Sequence, residues 1–150
     1  MAFNIFKFSI ETEIIIKAPK EKVWQILINF TDYHLWNPHL HLIEGTVNLN
    51  EKLKVYLHWP NLQPNQYQLR ITNIDEYECL GWLGCFKRPG LLDGQNYFRL
   101  QSIDSGKTKV THQEYFSGCL VPIFKPWLKS SVARGFTNID QALVSYCEKS

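Results

Sequence analysis

The most constraining feature of the sequence is a long apolar stripe near its carboxyl end. From about residue 123 to residue 147, apolar or small side chains recur at helical spacing: Leu128, Val132, Gly135, Ile139, Ala142 and Tyr146. Pro122 and Pro126 fall in the first turns of this predicted helix, where proline is tolerated or produces a kink. Because a helix of this length must bury its apolar face, the rest of the chain has to provide a large apolar surface.

The residues before the stripe have the two-residue period of β-strands. Residues 8–16 alternate between an apolar and a polar face, which predicts a half-buried first strand. Six further strand-like segments lie between residues 40 and 116, separated by turn residues such as Asp104, Ser105 and Gly106. Their hairpin-sized spacing indicates antiparallel pairing, so the sequence predicts an antiparallel sheet of about seven strands.

Two short helices are predicted after the first strand. The apolar residues of the first are spaced i, i+3, i+4 and i+7, namely Val23, Ile26, Leu27 and Phe30. Pro19 suits its first turn. A second helix follows with Thr31 or Asp32 as its cap, and the chain leaves it at the turn formed by residues 36–38, Trp-Asn-Pro.

This order of elements leaves one solution for burying the long helix. The concave face of the sheet is the only large surface available to it. The sequence therefore predicts a single α+β domain spanning residues 1–150, in which a curved antiparallel sheet wraps around the carboxyl-terminal helix. Such a sheet rarely closes its interior completely, so an apolar cavity suited to a small apolar ligand is expected between helix and sheet.

The last predicted strand carries two polar residues on its apolar face. Val110 and Phe116 share that face with His112 and Glu114, which would lie about 7 Å apart along the strand. Buried polar groups need partners, so a direct or water-bridged His112–Glu114 pair is expected. The pair would orient a ligand's polar group or, through His112, act as an acid and base in catalysis. The alternative without function is that it anchors the long helix or lies near solvent.

Neighbouring strands add further candidates for the cavity wall. Asn96 shares a face with the apolar Phe98, and Trp82 lies between Gly81 and Gly84, which indicates a bulge or a close backbone approach. Residues 87–94 are interpreted as a loop at the cavity mouth, with exposed leucines at positions 91 and 92 that could act as a gate or touch a membrane. The predicted ligand-binding residues are Trp82, Asn96, Phe98, His112, Glu114 and Phe116.

The histidines near residue 40 do not predict a metal site. His34, His39 and His41 lie within eight positions, but they lack the three or four suitably spaced ligands that zinc requires. They are interpreted as histidines of the surface or cavity rim, and no metal or other cofactor is expected. The cysteines show no C-x-x-C spacing and are interpreted as reduced thiols that fill the core: Cys79, Cys85, Cys119 and Cys147.

Charge and missing motifs exclude several classes of protein. Sixteen Lys and Arg residues against fourteen Asp and Glu give a net charge of +2, and no basic run exceeds two residues, so nucleic-acid binding is not expected. There is no export signal and no apolar run long enough for stable membrane insertion, so a cytoplasmic location is expected. Hydrolase nucleophile elbows and phosphate-binding loops are also missing, which argues against an ordinary hydrolase or kinase.

Four segments resemble the SRPBCC superfamily, whose helix-grip fold includes START lipid-transfer domains and pollen-allergen-type hormone binders. They are IIIKAPKEKVWQILINFTDYHLWNPHLHLIEG, LGWLGCFKRPGLLDGQNYF, HQEYFSGCL and GFTNIDQALVSYCE, and they span nearly the whole chain. More narrowly, the chain resembles the small single-domain bacterial members described as polyketide cyclase/dehydrase-like or lipid-transport-like. Such relatives commonly carry His at the position of Asn96, so an acid or base role there does not transfer, whereas a hydrogen-bonding role does.

The resemblance implies a helix-grip fold with a ligand between helix and sheet. The preferred functional hypothesis is the carriage or sequestration of a hydrophobic small molecule or lipid. The main alternative is a polyketide cyclase or dehydratase that uses His112 as acid and base without a metal. A third alternative, a protein-interaction module of the chaperone-activator kind, rests on the fold resemblance alone.

Overall fold

A seven-stranded antiparallel sheet forms the frame of the protein. The computed structural model describes residues 4–60 and 63–149. Strands β2 to β7 follow one another as a meander, and β1 joins the sheet beside β7, giving the order β1-β7-β6-β5-β4-β3-β2. The strands are β1 (Lys7–Ile16), β2 (Leu40–Glu44), β3 (Lys52–Leu57), β4 (Asn65–Asp75), β5 (Cys79–Cys85), β6 (Asp93–Asp104) and β7 (Lys107–Ser117). The predicted number and direction of strands are confirmed.

The two short helices lie between β1 and β2, as predicted. Helix α1 spans Lys20–Ile28, and a 3-10 helix spans Phe30–Leu35. The prediction that Thr31 or Asp32 caps the second helix is wrong, because this helix begins at Phe30 with Asn29 at the cap position. Asp32 lies inside the helix and accepts a hydrogen bond from the side-chain amide of Asn29. The Phe30 ring stacks on Tyr33 with centroids 4.2 Å apart, and burial of these two rings fixes where the helix starts.

The carboxyl-terminal helix is continuous but changes its winding. It consists of α2 (Val121–Trp127), a π-helical segment (Leu128–Val132) and α3 (Ala133–Lys149). Pro126 has no N–H to donate, and the wider π-helical turn follows directly after it. The predicted long helix and its proline-associated irregularity are therefore present, and the wide turn sets which side chains of α3 face the sheet.

The core has two parts that meet at the middle of this helix. The larger part packs α1 and the second half of α3 against the sheet, around Trp24, Phe30 and Leu143. The smaller part packs the start of the carboxyl-terminal helix against β7 and the loop between β5 and β6, around Phe116 and Phe136. Since a single helix crosses both parts, any space left between them lies beneath its centre.

A β-bulge interrupts the pairing of β4 and β5 near Trp82. Trp82 belongs to β5, whereas the bulge is on β4. Ile71 pairs with Trp82 and Asn73 pairs with Gly81, so the residue between them on β4 has no partner on β5. A Cβ atom at Gly81 would lie 2.9 Å from the Tyr97 ring, which explains the need for glycine there. Both features that were predicted as alternatives around Trp82 are therefore present. The bulge, with its extra residue, is on β4, and the close backbone approach is at Gly81 on β5.

Candidate functional site

A cavity of about 420 Å³ lies between the sheet and the carboxyl-terminal helix. Its volume is within the range of small-molecule sites, and most of its wall is apolar or aromatic. All six side chains predicted as ligand-binding line this cavity: Trp82, Asn96, Phe98, His112, Glu114 and Phe116. The inward direction of His112 and Glu114 follows from their alternation with Val110 and Phe116 along β7.

His112 is joined to the helix rather than to Glu114. Its Nδ1 lies 2.9 Å from Asp140 Oδ1, and the other carboxylate oxygen of Asp140 accepts a hydrogen bond from the Thr12 hydroxyl. His112 and Asp140 are 2% and 3% exposed, so this contact is fully inside the protein. The expectation of a His112–Glu114 pair is wrong, because Asp140 reaches His112 from α3 and leaves Glu114 alone.

The imidazole of His112 is also fixed between two rings. Phe98 stacks on one side at a centroid distance of 4.1 Å, and Phe136 stacks on the other at 3.9 Å with an angle of 4° between the planes. Burial lowers the pKa of His112, while the hydrogen bond and the charge of Asp140 oppose this shift. The histidine is therefore a neutral, immobile part of the cavity wall near pH 7.

Asn96 completes the hydrogen bonds of His112 and has one group left over. Its Oδ1 lies 3.1 Å from His112 Nε2, and its Nδ2 has no hydrogen-bond partner among the described residues. A neutral imidazole with its proton on Nδ1 is better satisfied by the same amide turned over, which brings the NH2 group to Nε2. In both orientations one amide atom of Asn96 remains unpaired at the cavity wall.

Glu114 is the other polar group of the wall, and its carboxyl group has no hydrogen-bond or ionic partner among the described residues. It projects across Gly94 of the neighbouring strand, where a Cβ atom would overlap its Oε2. Burial raises the pKa of Glu114 to about 8. Gly94 thus provides the space for a carboxyl group that is largely protonated at neutral pH.

The loop between β5 and β6 closes one side of the cavity. Leu92 is buried and lines the cavity, and Leu91 is half-buried, so the prediction that both are exposed is wrong. The backbone explains this, because the N–H groups of Cys119 and Leu120 donate to the carbonyl oxygens of Gly90 and Leu91. The loop is thereby tied to the start of the carboxyl-terminal helix and its apolar side chains turn inward.

Several wall and support residues were not singled out from the sequence. Trp59, just beyond β3, lines the cavity and lies so close to α3 that a Cβ atom at Gly135 would overlap its ring. Asp140 was also missed, although a signal exists: it is a charged residue on the apolar face of α3, one turn after Phe136 and one turn before Leu143. Asn37 of the Trp-Asn-Pro turn lines the cavity as well, whereas Trp36 is packed in the core.

The three clustered histidines each bond to the backbone. His34 contacts the Thr31 carbonyl, His39 contacts the His58 carbonyl and the Asn138 side chain, and His41 contacts the Asn37 carbonyl. Among the described residues, no group of three or more His, Cys, Asp or Glu side chains is arranged to hold a metal ion.

The cysteines are free thiols, and two of them are buried as predicted, Cys79 and Cys147. Cys85 is half-buried at the cavity and Cys119 is exposed, so the core-filling interpretation is wrong for Cys119, which lies in the connection to the carboxyl-terminal helix. In the part of the chain that the structure describes, no helix has the length and hydrophobicity of a membrane span.

Known proteins match this chain in structure but not in sequence. No family model and no curated protein matches it. The Zhui aromatase/cyclase from Streptomyces sp. R1128 superposes with a TM-score of 0.78 at 16% identity, covering 95% of this chain and 94% of that chain. Ara h 8.0201 superposes with a TM-score of 0.74 at 17% identity, covering 96% of this chain and 99% of that chain.

A third similar structure is a norcoclaurine synthase from Thalictrum flavum bound to a transition-state analogue. It superposes with a TM-score of 0.70 at 12% identity, and the match covers 94% of each chain. These neighbours share the helix-grip fold with this chain across nearly their full length. Because the identities are low, the match concerns architecture, and the chain has the helix-grip fold that its sequence resemblance implied.

Proposed function

We propose that this protein binds a hydrophobic small molecule in the cavity between the sheet and the carboxyl-terminal helix. The observation that carries the proposal is the cavity itself: about 420 Å³ of space, walled by aromatic and aliphatic side chains, at the junction of the two core parts. Removing apolar ligand surface from water would supply the affinity, at about 25 cal/mol per Å² before the costs of association are subtracted.

Polar groups of the wall would orient the ligand. Asn96 and Glu114 lie directly opposite each other on β6 and β7, and both have unpaired polar atoms. His112 supports Asn96 from behind and is itself held by Asp140. Trp82, Phe98 and Phe116 would contribute apolar contact on the sheet side. A large apolar wall with few polar atoms is typical of sites that bind a ligand in one orientation.

A cavity-filling variant tests this proposal. Leu57 of β3 lines the cavity and is half-buried, so Leu57→Trp should fill part of the cavity and weaken binding of the uncharged dye Nile red at least about tenfold. Leu35→Trp makes the same substitution at an exposed leucine and should leave dye binding unchanged. Native mass spectrometry of the purified protein would show whether a ligand is already bound. Equal dye binding by wild type and Leu57→Trp, with both proteins folded, would contradict the proposal.

A proton-transfer enzyme is the second candidate, favoured by one observation. Burial holds the pKa of Glu114 at about 8, so near neutral pH this carboxyl group could donate a proton as a general acid, and its ionised fraction could accept one as a general base. One structural neighbour is named an aromatase/cyclase. His112, the residue expected from the sequence to act as acid and base, is less suited, because Asp140 and Asn96 occupy its nitrogens and two phenyl rings cover its faces.

Hydrogen–deuterium exchange at the α-carbon of a bound aryl 1,3-diketone, followed by NMR, distinguishes catalysis from binding alone. An enzyme of this kind should accelerate the exchange, and Glu114→Gln should reduce the acceleration about a hundredfold. If the bound diketone exchanges no faster than the free diketone, this catalytic function is excluded and the binding function still stands.

A further inference from the structure

The charge of the cavity wall is unbalanced. Among the described residues that line the cavity, Glu114 is the sole carboxylic acid, and none is a lysine or an arginine. Asp140, the other buried acid nearby, has its carboxylate oxygens occupied by His112 and Thr12. Glu114 is therefore the one acidic group in the described wall whose oxygens remain available to a ligand.

The surroundings of Glu114 favour a ligand that donates hydrogen bonds to its carboxyl group. A buried carboxyl group without a partner is costly, and an incoming donor removes that cost. Gly94 leaves the carboxyl oxygen uncovered by any side chain of β6, and Asn96, opposite Glu114, adds an unpaired amide atom. An anionic ligand is disfavoured here, because no basic side chain of the described wall could pair with its charge.

Aromatic rings surround the same space. Phe98 and Phe136, which stack on His112, are part of the described wall. Seven further aromatic residues line it: Trp59, Tyr67, Trp82, Phe86, Phe116, Phe124 and Trp127. Ring faces attract cations, and this attraction strengthens where water is excluded. A single acid within a wall rich in aromatic rings is the composition that suits a desolvated organic cation.

We propose that the cavity selects a small arylalkylamine, whose ammonium group donates hydrogen bonds to Glu114 while its aromatic body lies against the aromatic side chains of the wall. This inference rests on the proposed binding function and adds the chemical class of the ligand. It distinguishes amines from fatty acids and other anionic lipids, which the apolar wall alone would accept equally well. Binding of the ammonium group would favour the carboxylate form of Glu114, which releases its proton to solvent, and the resulting ion pair leaves neither charge without a partner.

Three ligands of the same shape test the inference by isothermal titration calorimetry: naphthylethylamine, naphthylethanol and naphthylpropionic acid. Wild-type protein should bind the amine about tenfold more tightly than the alcohol, and the acid most weakly. Glu114→Gln should weaken amine binding about tenfold and leave alcohol binding within about twofold. Glu11→Gln removes an exposed carboxylate from the adjacent strand β1 and should change neither value.

A second variant keeps the carboxyl group but moves it. A methyl group at Gly94 would overlap Glu114 Oε2, so Gly94→Ala should displace the carboxyl group and weaken amine binding more than alcohol binding. Equal affinities for amine and alcohol, together with Nile red binding, would overturn the inference and leave the proposed function standing. Failure of Nile red and all three naphthyl ligands to bind folded wild-type protein would overturn both.

Discussion

His112 and Glu114 lie two residues apart on the same face of β7, but their surroundings differ. His112 has a carboxylate on one ring nitrogen, an amide on the other and a phenyl ring on each face. Glu114 has no side-chain partner among the described residues and has open space over Gly94. The first residue is satisfied by the fold, whereas the second can be satisfied by a ligand. Hydrogen-bond satisfaction therefore separates a structural polar residue from a binding one.

The largest expected effect comes from removing the satisfied residue. His112→Ala should lower the free energy of unfolding by about 3–5 kcal/mol, because it leaves Asp140 with one partner and opens a gap between two phenyl rings. Urea denaturation would measure this loss. His34→Ala, at an exposed histidine, should change stability by less than about 0.5 kcal/mol. A loss below about 1 kcal/mol for His112→Ala would contradict the structural role given to His112.

The second prediction concerns pH and the unsatisfied residue. The pKa of Glu114 is raised from 4.5 to about 8 in the folded protein, so the folded state holds a proton that the unfolded state has lost. Its contribution to stability is complete below pH 4.5 and is lost as the pH rises toward about 8. Between pH 6.5 and 8 the wild type should therefore lose roughly 1–2 kcal/mol in urea denaturation experiments.

Glu114→Gln provides the control for this pH dependence, because it removes the titrating group while keeping nearly the same shape. Its stability should stay nearly constant over the same interval. The lowered pKa of His112 acts in the opposite direction and at lower pH: its contribution is complete above pH 6.5 and is lost as the pH falls below that value. Wild type and Glu114→Gln should therefore show the same loss of stability below pH 6.5. Parallel curves for the two proteins above pH 6.5 would show that Glu114 is not held in its neutral form.

The smallest effect on stability is expected at Gly94. Its added methyl group would meet the end of a flexible side chain, so Gly94→Ala should cost less than about 1 kcal/mol in thermal or urea denaturation. Gly81→Ala is the matched comparison, because a Cβ atom there would lie 2.9 Å from the packed Tyr97 ring, and it should cost more. Equal losses for the two variants would indicate that Glu114 is held as firmly as a core residue.

Much of the fold follows from local pattern. The two-residue period of the strands, the helical stripe ending near Cys147 and the turn residues between them give the element order and the antiparallel sheet. The same alternation places His112 and Glu114 on the inner face of β7. Position along a strand is enough for such inferences, because facing depends only on the parity of the residue number.

The partners of those residues could not be predicted in the same way. Asp140 meets His112 across 28 positions, and Thr12 meets Asp140 across 128, through the packing of α3 against β1 and β7. Exposure of Leu92 was also misjudged, since the bonds that tie its loop to the carboxyl-terminal helix join distant parts of the chain. These contacts depend on how far the wide helical turn after Pro126 rotates α3, which no local pattern records.

The sequence by itself determined the layers of this protein and which side of its strands faces the cavity, because both depend on hydrophobic periodicity along single elements. Only the tertiary structure decided which polar groups are satisfied. Asp140 comes from α3 to pair with His112, and nothing comes to Glu114 within the described chain. That difference results from the angle and register at which a helix packs on a sheet, and it turns two neighbouring polar residues into one support and one candidate ligand contact.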